Sequence, residues 1–345
     1  MAIKEFATSD ALVRKIWLTE NQLLFKEAAK ESYFLPRFGG ESADNIVYVR
    51  NELSKSNGDR ITFGIRMRLT STGVGAGQTL EGNEQSLQTY DFSISLDQVR
   101  EAVRIRQGLT KQRTQIDLAE EARMALKTWM AEKIDALLFA ALRTSPTKTF
   151  YSNNGTFTSG ASYAAVKADL TASQDNITPQ IISAMKTWAK TGGNRAQAPL
   201  RPIRVDGRET FVFLTHPDAL WDLKQTTVWA QAQREAAERG KSNPLFTGAV
   251  GVWDNVVIHE HENITIGTDA GSGSNVPFAE GFLMGAQSLC WAWGERGEMV
   301  EKTFDYDEEK GFAVNLIYGA GKPVFNGKDY GSVSFLCSRT QVSDI

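Results

Sequence analysis

The sequence predicts an α+β fold, and three features predict it. Apolar residues alternate with polar ones in two runs, within Arg60–Leu69 and from Phe92 to Asp97. One long amphipathic helix follows at Ile116–Arg143, and strand and helix patterns mix from Thr178 onward. At 345 residues the chain can bury a sizeable core and form about two domains.

The first element is an arm. Ser9–Phe34 offers a Ser/Asp cap, then Leu12, Val13, Ile16, Leu23 and Leu24 at roughly helical spacing, with Pro36 and Gly39–Gly40 ending it. A terminal helix with an apolar stripe and no adjoining core needs a partner surface, either on its own domain or on a neighbouring subunit.

Strand patterns come next. A short run at Asn45–Leu53 precedes Arg60–Leu69, where Ile61, Phe63, Ile65, Met67 and Leu69 alternate with Thr62, Gly64, Arg66 and Arg68. In Gln88–Arg106, Phe92, Ile94 and Leu96 alternate with Ser93, Ser95 and Asp97. About eighteen polar, glycine-rich residues separate the two long runs, which predicts an extended antiparallel ribbon. An isolated two-stranded ribbon is marginal in water, so this one is expected to lie against something else.

The helix at Ile116–Arg143 has Asp117 as its cap, Glu120 and Glu121 suited to the N-terminal dipole, and Pro146 beyond its end. Leu118, Ala122, Ala125 and Trp129 form one apolar row, with Leu126, Met130, Ile134, Leu137 and Ala141 beside it. Thr149–Ala165 reads as loop and turn, a candidate domain boundary. Helices are then expected at Thr178–Gly193, from Pro217, and at Thr226–Gly240. Strands are expected at Glu209–Thr215, Val252–Glu260, Gly311–Gly319 and Gly331–Ser338.

Little in the chain points to chemistry. The glycine run Gly73, Gly75, Gly77 has the spacing G-x-G-x-G, and strand patterns flank it on both sides. A dinucleotide fingerprint needs G-x-G-x-x-G ahead of a helix, and a phosphate loop ends in G-K-[ST], so the run reads as a flexible hairpin tip. His259 and His261 would share one strand face and could share a metal with Glu260 or Glu262. Their spacing is not the H-E-x-x-H that sets two imidazoles on one helical face, and two histidines ending a strand is the plainer reading. His216, ahead of Pro217, suits a helix cap. There is no G-x-S-x-G, and the two cysteines, Cys290 and Cys337, lack C-x-x-C spacing and read as buried thiols suited to a reducing compartment. No metal or cofactor is expected.

A net charge of −3 argues against electrostatic nucleic-acid binding by the chain as a whole. No apolar run approaches the ~20 residues of a membrane helix, and no secretory signal pattern is visible at the N-terminus. Charge is nonetheless clustered. Arg100, Arg104, Arg106, Lys111 and Arg113 form a basic group, while Gly294–Lys310 carries seven acids against three bases. Two solvated faces are one reading; complementary charge between subunits, or phosphate contact by the basic group, is the other.

In this order, an arm, a glycine-tipped ribbon, a long helix and a mixed α/β region resemble the major capsid proteins of tailed phages, the HK97-like fold family. The segments carrying the resemblance are "GDRITFGIRMRLT…LEGNEQSLQTYDFSISLDQVREAVR" for that family's E-loop ribbon and "DLAEEARMALKTWMAEKIDALLF" for its spine helix. "FVFLTHPDALWDLK", "NPLFTGAVGVWDNVVIHEHENI" and "FLMGAQSLCWAWGE" resemble the axial region, and "FDYDEEKGFAVNLIYGAGKPVFNGKDYGSVSF" the closing strands.

The resemblance implies an N-terminal arm over 1–44, an E-loop ribbon over 45–113 and a peripheral domain with the spine helix over 114–175. An axial domain over 176–297 and closing peripheral strands over 298–345 complete it. It also implies pentamers and hexamers closing an icosahedral shell around double-stranded DNA, assembled in the host bacterial cytoplasm. Gly73, Gly75, Gly77, Arg66 and Arg68 are then expected at a subunit interface, and the basic group at a subunit or DNA surface. Some relatives carry a fused scaffolding segment of about a hundred residues, whereas about forty-four precede the ribbon here, so a separate scaffolding protein is expected. Portal and decoration proteins are further expected partners. An encapsulin-like shell around protein cargo would share the fold.

Overall fold

The computed structural model describes residues 32–51, 58–66, 69, 71, 73–77, 79–87, 89–106, 113, 117–192, 199–205, 207–235, 249–306 and 308–340. The arm helix expected over Ser9–Phe34 lies outside these residues except for its last three.

The chain enters through α1 (Phe34–Phe38), β1 (Gly39–Gly40) and β2 (Val47–Arg50). The ribbon is β3 (Arg60–Arg66) and β4 (Thr89–Ser95), which pair antiparallel from Arg60↔Ser95 to Arg66↔Thr89. The run expected as one segment over Gln88–Arg106 divides at Leu96, where β5 (Asp97–Arg106) begins. Within residues 45–113, β3 and β4 pair with each other alone, while β2 and β5 enter a different sheet.

Next comes α2 (Leu118–Arg143). The Asp117 carboxylate accepts from the N–H groups of Ala119 at 2.9 Å and Glu120 at 3.4 Å, as the cap reading expects. Its 26 residues span about 39 Å at 1.5 Å per residue. Ala122, Leu126, Ile134, Leu138 and Leu142 recur at multiples of four and are buried, with Phe139 beside them. Each of the large ones contributes about 1.5–3 kcal/mol relative to exposure. Ala125, placed in the expected apolar row, is exposed.

The expected loop at Thr149–Ala165 is instead a hairpin, β6 (Thr149–Asn153) and β7 (Thr156–Gly160), followed by α3 (Tyr163–Asp169). Asn154 and Gly155 at its turn have φ of 48° and 78°, the left-handed pair that two-residue hairpins require. Then come α4 (Pro179–Thr191), β8 (Ile203–Val205), β9 (Arg208–Thr215), α5 (Pro217–Gln225), α6 (Thr227–Glu235), β10 (Ala249–Trp253), β11 (Val256–Glu260), β12 (Ile266–Ala270) and β13 (Val276–Met284). The chain closes with β14 (Leu289–Phe304), β15 (Glu309–Gly321), β16 (Val324–Phe325), β17 (Lys328–Asp329) and β18 (Ser332–Ser338). α4 starts with Pro179 at its first turn and ends on Gly192 at φ 66°, an αL cap.

Two sheets organise these elements. The first runs β1-β2-β14-β15-β5 and carries α2 against β15 and β5, through Ile105, Ala122, Leu126, Phe312 and Val314. The second is nine-stranded, ordered β10-β11-β9-β13-β18-β6-β7 with β12 on β13 and β8 on β9. β18, expected among the closing strands of the peripheral domain, lies between β13 and β6 in this second sheet. β9 shows why its sequence is apolar without alternation. Phe211 and Phe213 pack in one core cluster with Ala219, Leu220 and Leu223 of α5, while Val212 and Leu214 pack in another with Leu138 and Leu142 of α2.

Candidate assembly surface

The ribbon has a buried base and a bare outer part. Ile61 and Ile94, directly paired, are buried, and Phe63 faces Phe92 one step further out. This apolar face lies on the chain's own body. The Phe63 ring meets Tyr48 at 5.9 Å between centroids, and Phe92 meets Phe325 at 6.4 Å. Beneath it, β15 presents Gly319 and Gly321. A Cβ on Gly319 would stand 2.8 Å from Ile94 Cγ2, and one on Gly321 would stand 3.1 Å from Phe92 Cζ. Their alternation in "IYGAGK" is a sequence signal for close approach to a strand face, one that lies outside any catalytic or phosphate motif.

Among the described residues the strand pairing runs out to Arg66 and Thr89. Leu69, Leu80 and Leu87 are each more than half exposed, at 63%, 70% and 58%. Gly73 and Gly77 have φ of 78° and 88°, and no atom lies within 4 Å of a Cβ built on Gly73, Gly75 or Gly77. The glycines therefore answer to backbone conformation at Gly73 and Gly77, and open space surrounds all three. Local bonds shape the tip: Ser71 N–H donates to Gln85 Oε1 at 2.9 Å, and Gly82 N–H to Glu84 Oε2 at 2.8 Å. With strands on both sides, there is no helix N-terminus to receive a phosphate. Arg66 is the last described residue of β3 in the pairing, and Arg68 lies outside the described residues.

The charge clusters meet within one chain. Arg100, Arg104 and Arg106 share one face of β5, opposite the face that carries Val99, Val103 and Ile105 to the core. Arg104 pairs with Glu309, and Arg106 lies 3.8 Å from Glu308. The Arg104 guanidinium also stacks 4.2 Å from the Phe304 ring centroid. On the other side of the sheet, Arg123 of α2 pairs with Glu301. Glu301, Glu308 and Glu309 of the acidic segment thus answer cations of their own subunit. Arg100 remains exposed, Arg113 is half-buried, and Lys111 lies outside the described residues.

The candidate chemical groups sit in packing and capping contacts. The imidazoles of His259 and His261 both lie against Tyr33, at 6.1 and 4.6 Å between centroids, and His259 also meets Phe38 at 5.3 Å. His261 Nδ1 accepts from the Asn263 N–H at 3.1 Å. Among the described residues no group of three or more His, Cys, Asp or Glu side chains is placed to hold a metal. His216 Nδ1 accepts from the Asp218 N–H at 3.2 Å and caps α5. Both cysteines are buried free thiols, and burial pushes each up to about 12. Among the described residues no helix is long and apolar enough to cross a membrane.

Comparison with known proteins agrees with this architecture. The family model described as phage capsid protein matches residues 8–335. The major capsid protein of Pseudomonas phage KPP25 is 28% identical, covering 90% of this chain and 92% of its own length. The capsid of Ralstonia phage GP4 is similar with a TM-score of 0.78 at 26% identity, over 91% of this chain and 92% of that one. The Cyanophage Pam1 capsid asymmetric unit gives a TM-score of 0.76 at 23% identity, over 92% and 94%. The match takes in ribbon, long helix and both sheets, and the protein belongs to the phage capsid protein family, with an HK97-like fold and the structural role of building a virion shell.

Proposed function

We propose that the ribbon is the clasp by which one subunit holds the next. The observation that carries this reading is the change in burial along β3 and β4. Ile61 and Ile94 are buried against the chain's own body, whereas Leu69, Leu80 and Leu87 beyond the paired region are exposed on an element with no core of its own. Three leucines left in water on a thin projection gain stability once a neighbouring surface covers them, about 1.5–3 kcal/mol for each that is fully buried.

Assembly into pentamers and hexamers then follows from repeating this heterologous contact with rotation until the shell closes. The shell would enclose double-stranded DNA held by non-specific contacts, in which exposed Arg100 is the best-placed member of the basic group. The five-stranded sheet with α2 would form the peripheral body and the nine-stranded sheet the axial one. Assembly in the host cytoplasm with a separate scaffolding protein, a portal and decoration proteins completes the reading. Burial of area drives every step, so no catalytic group is called for. A reconstruction of assembled particles tests it: density for residues 69–87 lying over an adjacent subunit supports the clasp, and density folded back on its own subunit refutes it.

A further inference from the structure

The hairpin joining β14 to β15 ends in an unusual residue. Phe304 pairs with Glu309, and between them the Glu308 N–H donates to the Asp305 carbonyl at 3.0 Å. Tyr306 stands on this turn fully exposed, and both it and Asp305 hold positive φ, 50° and 49°. A residue with a Cβ is disfavoured there, and Gly or Asn would sit in the same turn with less strain. The sequence thus places a large aromatic ring where neither solvation nor backbone conformation favours it. Such outliers mark sites kept for a contact made elsewhere.

A matching cavity lies on the same subunit. Between α2 and β14, a cleft of about 430 Å³ is lined by Met124, Met130, Met299 and Val314, with Arg123, Lys127 and Glu120 at its rim. Met124 and Met299 are 42% and 38% exposed. Thioethers contact aromatic rings favourably and adapt their shape to an incoming group. Asp305, next to Tyr306 in the chain, adds a carboxylate that suits Lys127 on the rim. Tyr306 does not fill the cleft of its own subunit, since its ring is fully exposed.

We propose that Tyr306 of one copy inserts into the Met124–Met130–Met299 cleft of a second copy. The contact is heterologous: each subunit gives a knob to one neighbour and receives one from another. It rests on the assembly of this chain with itself and adds a second junction, distinct from the ribbon clasp.

The test uses assembled particles. Tyr306→Cys and Met124→Cys are combined in one chain and treated with a short bismaleimide, the two native cysteines being buried. Covalent dimers and longer ladders in particles, absent from dispersed subunits and from each single variant, are the expected result. Leu80→Cys or Leu12→Cys linking to Met124→Cys instead would give the cleft to a neighbour's ribbon tip or to the N-terminal segment, and would overturn the proposal. Should the cysteines block assembly, carbodiimide treatment of wild-type particles mixed from isotope-labelled and unlabelled subunits reads the same junction. A link from Lys127 of one copy to Asp305 or Glu308 of another is expected, and its absence among other such links overturns the proposal. Tyr306→Asn separates the roles further: the isolated subunit keeps or gains thermal stability, while the concentration needed for assembly rises about tenfold, the effect of losing one interface anchor. Failure of the wild-type chain to form particles would count against the shell reading itself; particles without the link count against the knob alone.

Discussion

The backbone N–H of Tyr33 donates to the carboxylate of Asp135 at 2.6 Å, joining the point where the arm leaves the body to the middle of the long helix. Asp135 also accepts from Ser32 Oγ at 2.9 Å and from the Phe34 N–H at 3.2 Å. It is buried, and it supplies from 102 residues away the acceptor that the first turn of α1 lacks locally. Asp135→Ala would leave two buried N–H groups without that acceptor, so a loss of about 3 kcal/mol in urea unfolding of the subunit is expected. Asp135→Asn, which keeps one carbonyl oxygen, should lose less.

Gly319 fixes the seat of the ribbon. An added Cβ meets Ile94 Cγ2 at 2.8 Å and the Ser95 carbonyl oxygen at 3.2 Å, and backbone does not yield easily. Gly319→Ala is expected to destabilise ribbon docking by about 1–3 kcal/mol. Tryptic cleavage at Arg60 and Arg66 should accelerate in the variant while cleavage within the nine-stranded sheet does not change.

His216 makes a pH dependence. Burial is the main cause holding its pKa below the usual 6.5, with Asp218 opposing and Arg339 adding to the shift. The folded state therefore favours the neutral ring, whose Nδ1 accepts from the Asp218 N–H. The unfolded chain takes up a proton first as pH falls. The contribution is complete above about 6.5 and is lost from there down to the lower folded value. Unfolding midpoints measured from pH 7.5 to 5 should fall, and His216→Asn, a capping residue that does not titrate, should flatten that part of the curve.

Cys290 and Cys337 are predicted to be silent toward maleimide at pH 8 in the folded subunit, because burial pushes each thiol up to about 12. Two thiols should react once the chain is unfolded in urea. A single fast-reacting thiol in the native protein would contradict the placement of one strand, β14 or β18.

Local signals in the sequence were the legible ones. Asp117 before an apolar row gave the start of α2, Pro217 and Gly192 gave helix ends, and period-two alternation gave the ribbon. The hairpin at Asn154–Gly155 was legible too, through its Asn-Gly turn, but low hydrophobicity around it masked the signal. Pairings over long sequence separations were not legible. Nothing local to "GSVSFLCS" says that β18 runs parallel to β6 from 185 residues earlier, with Ser334 opposite Thr149. Nor does the acidic segment announce that Arg104, Arg106 and Arg123 of its own chain face it, because register across β5 and β15 decides the first two partners and the packing of α2 on β14 the third. The candidate interface was half visible: alternation and glycines marked the ribbon, while the exposed Tyr306 and the methionine cleft appear only once β14 and α2 are packed together.

The central claim is that the outer ribbon holds a neighbouring subunit and contributes nothing to its own subunit's fold. Deleting Thr72–Asn83 tests it most directly, with unfolding followed by circular dichroism and assembly by electron microscopy. The expected result is a subunit with an unchanged unfolding midpoint that no longer forms regular shells. Normal particles from the deleted chain would contradict the claim.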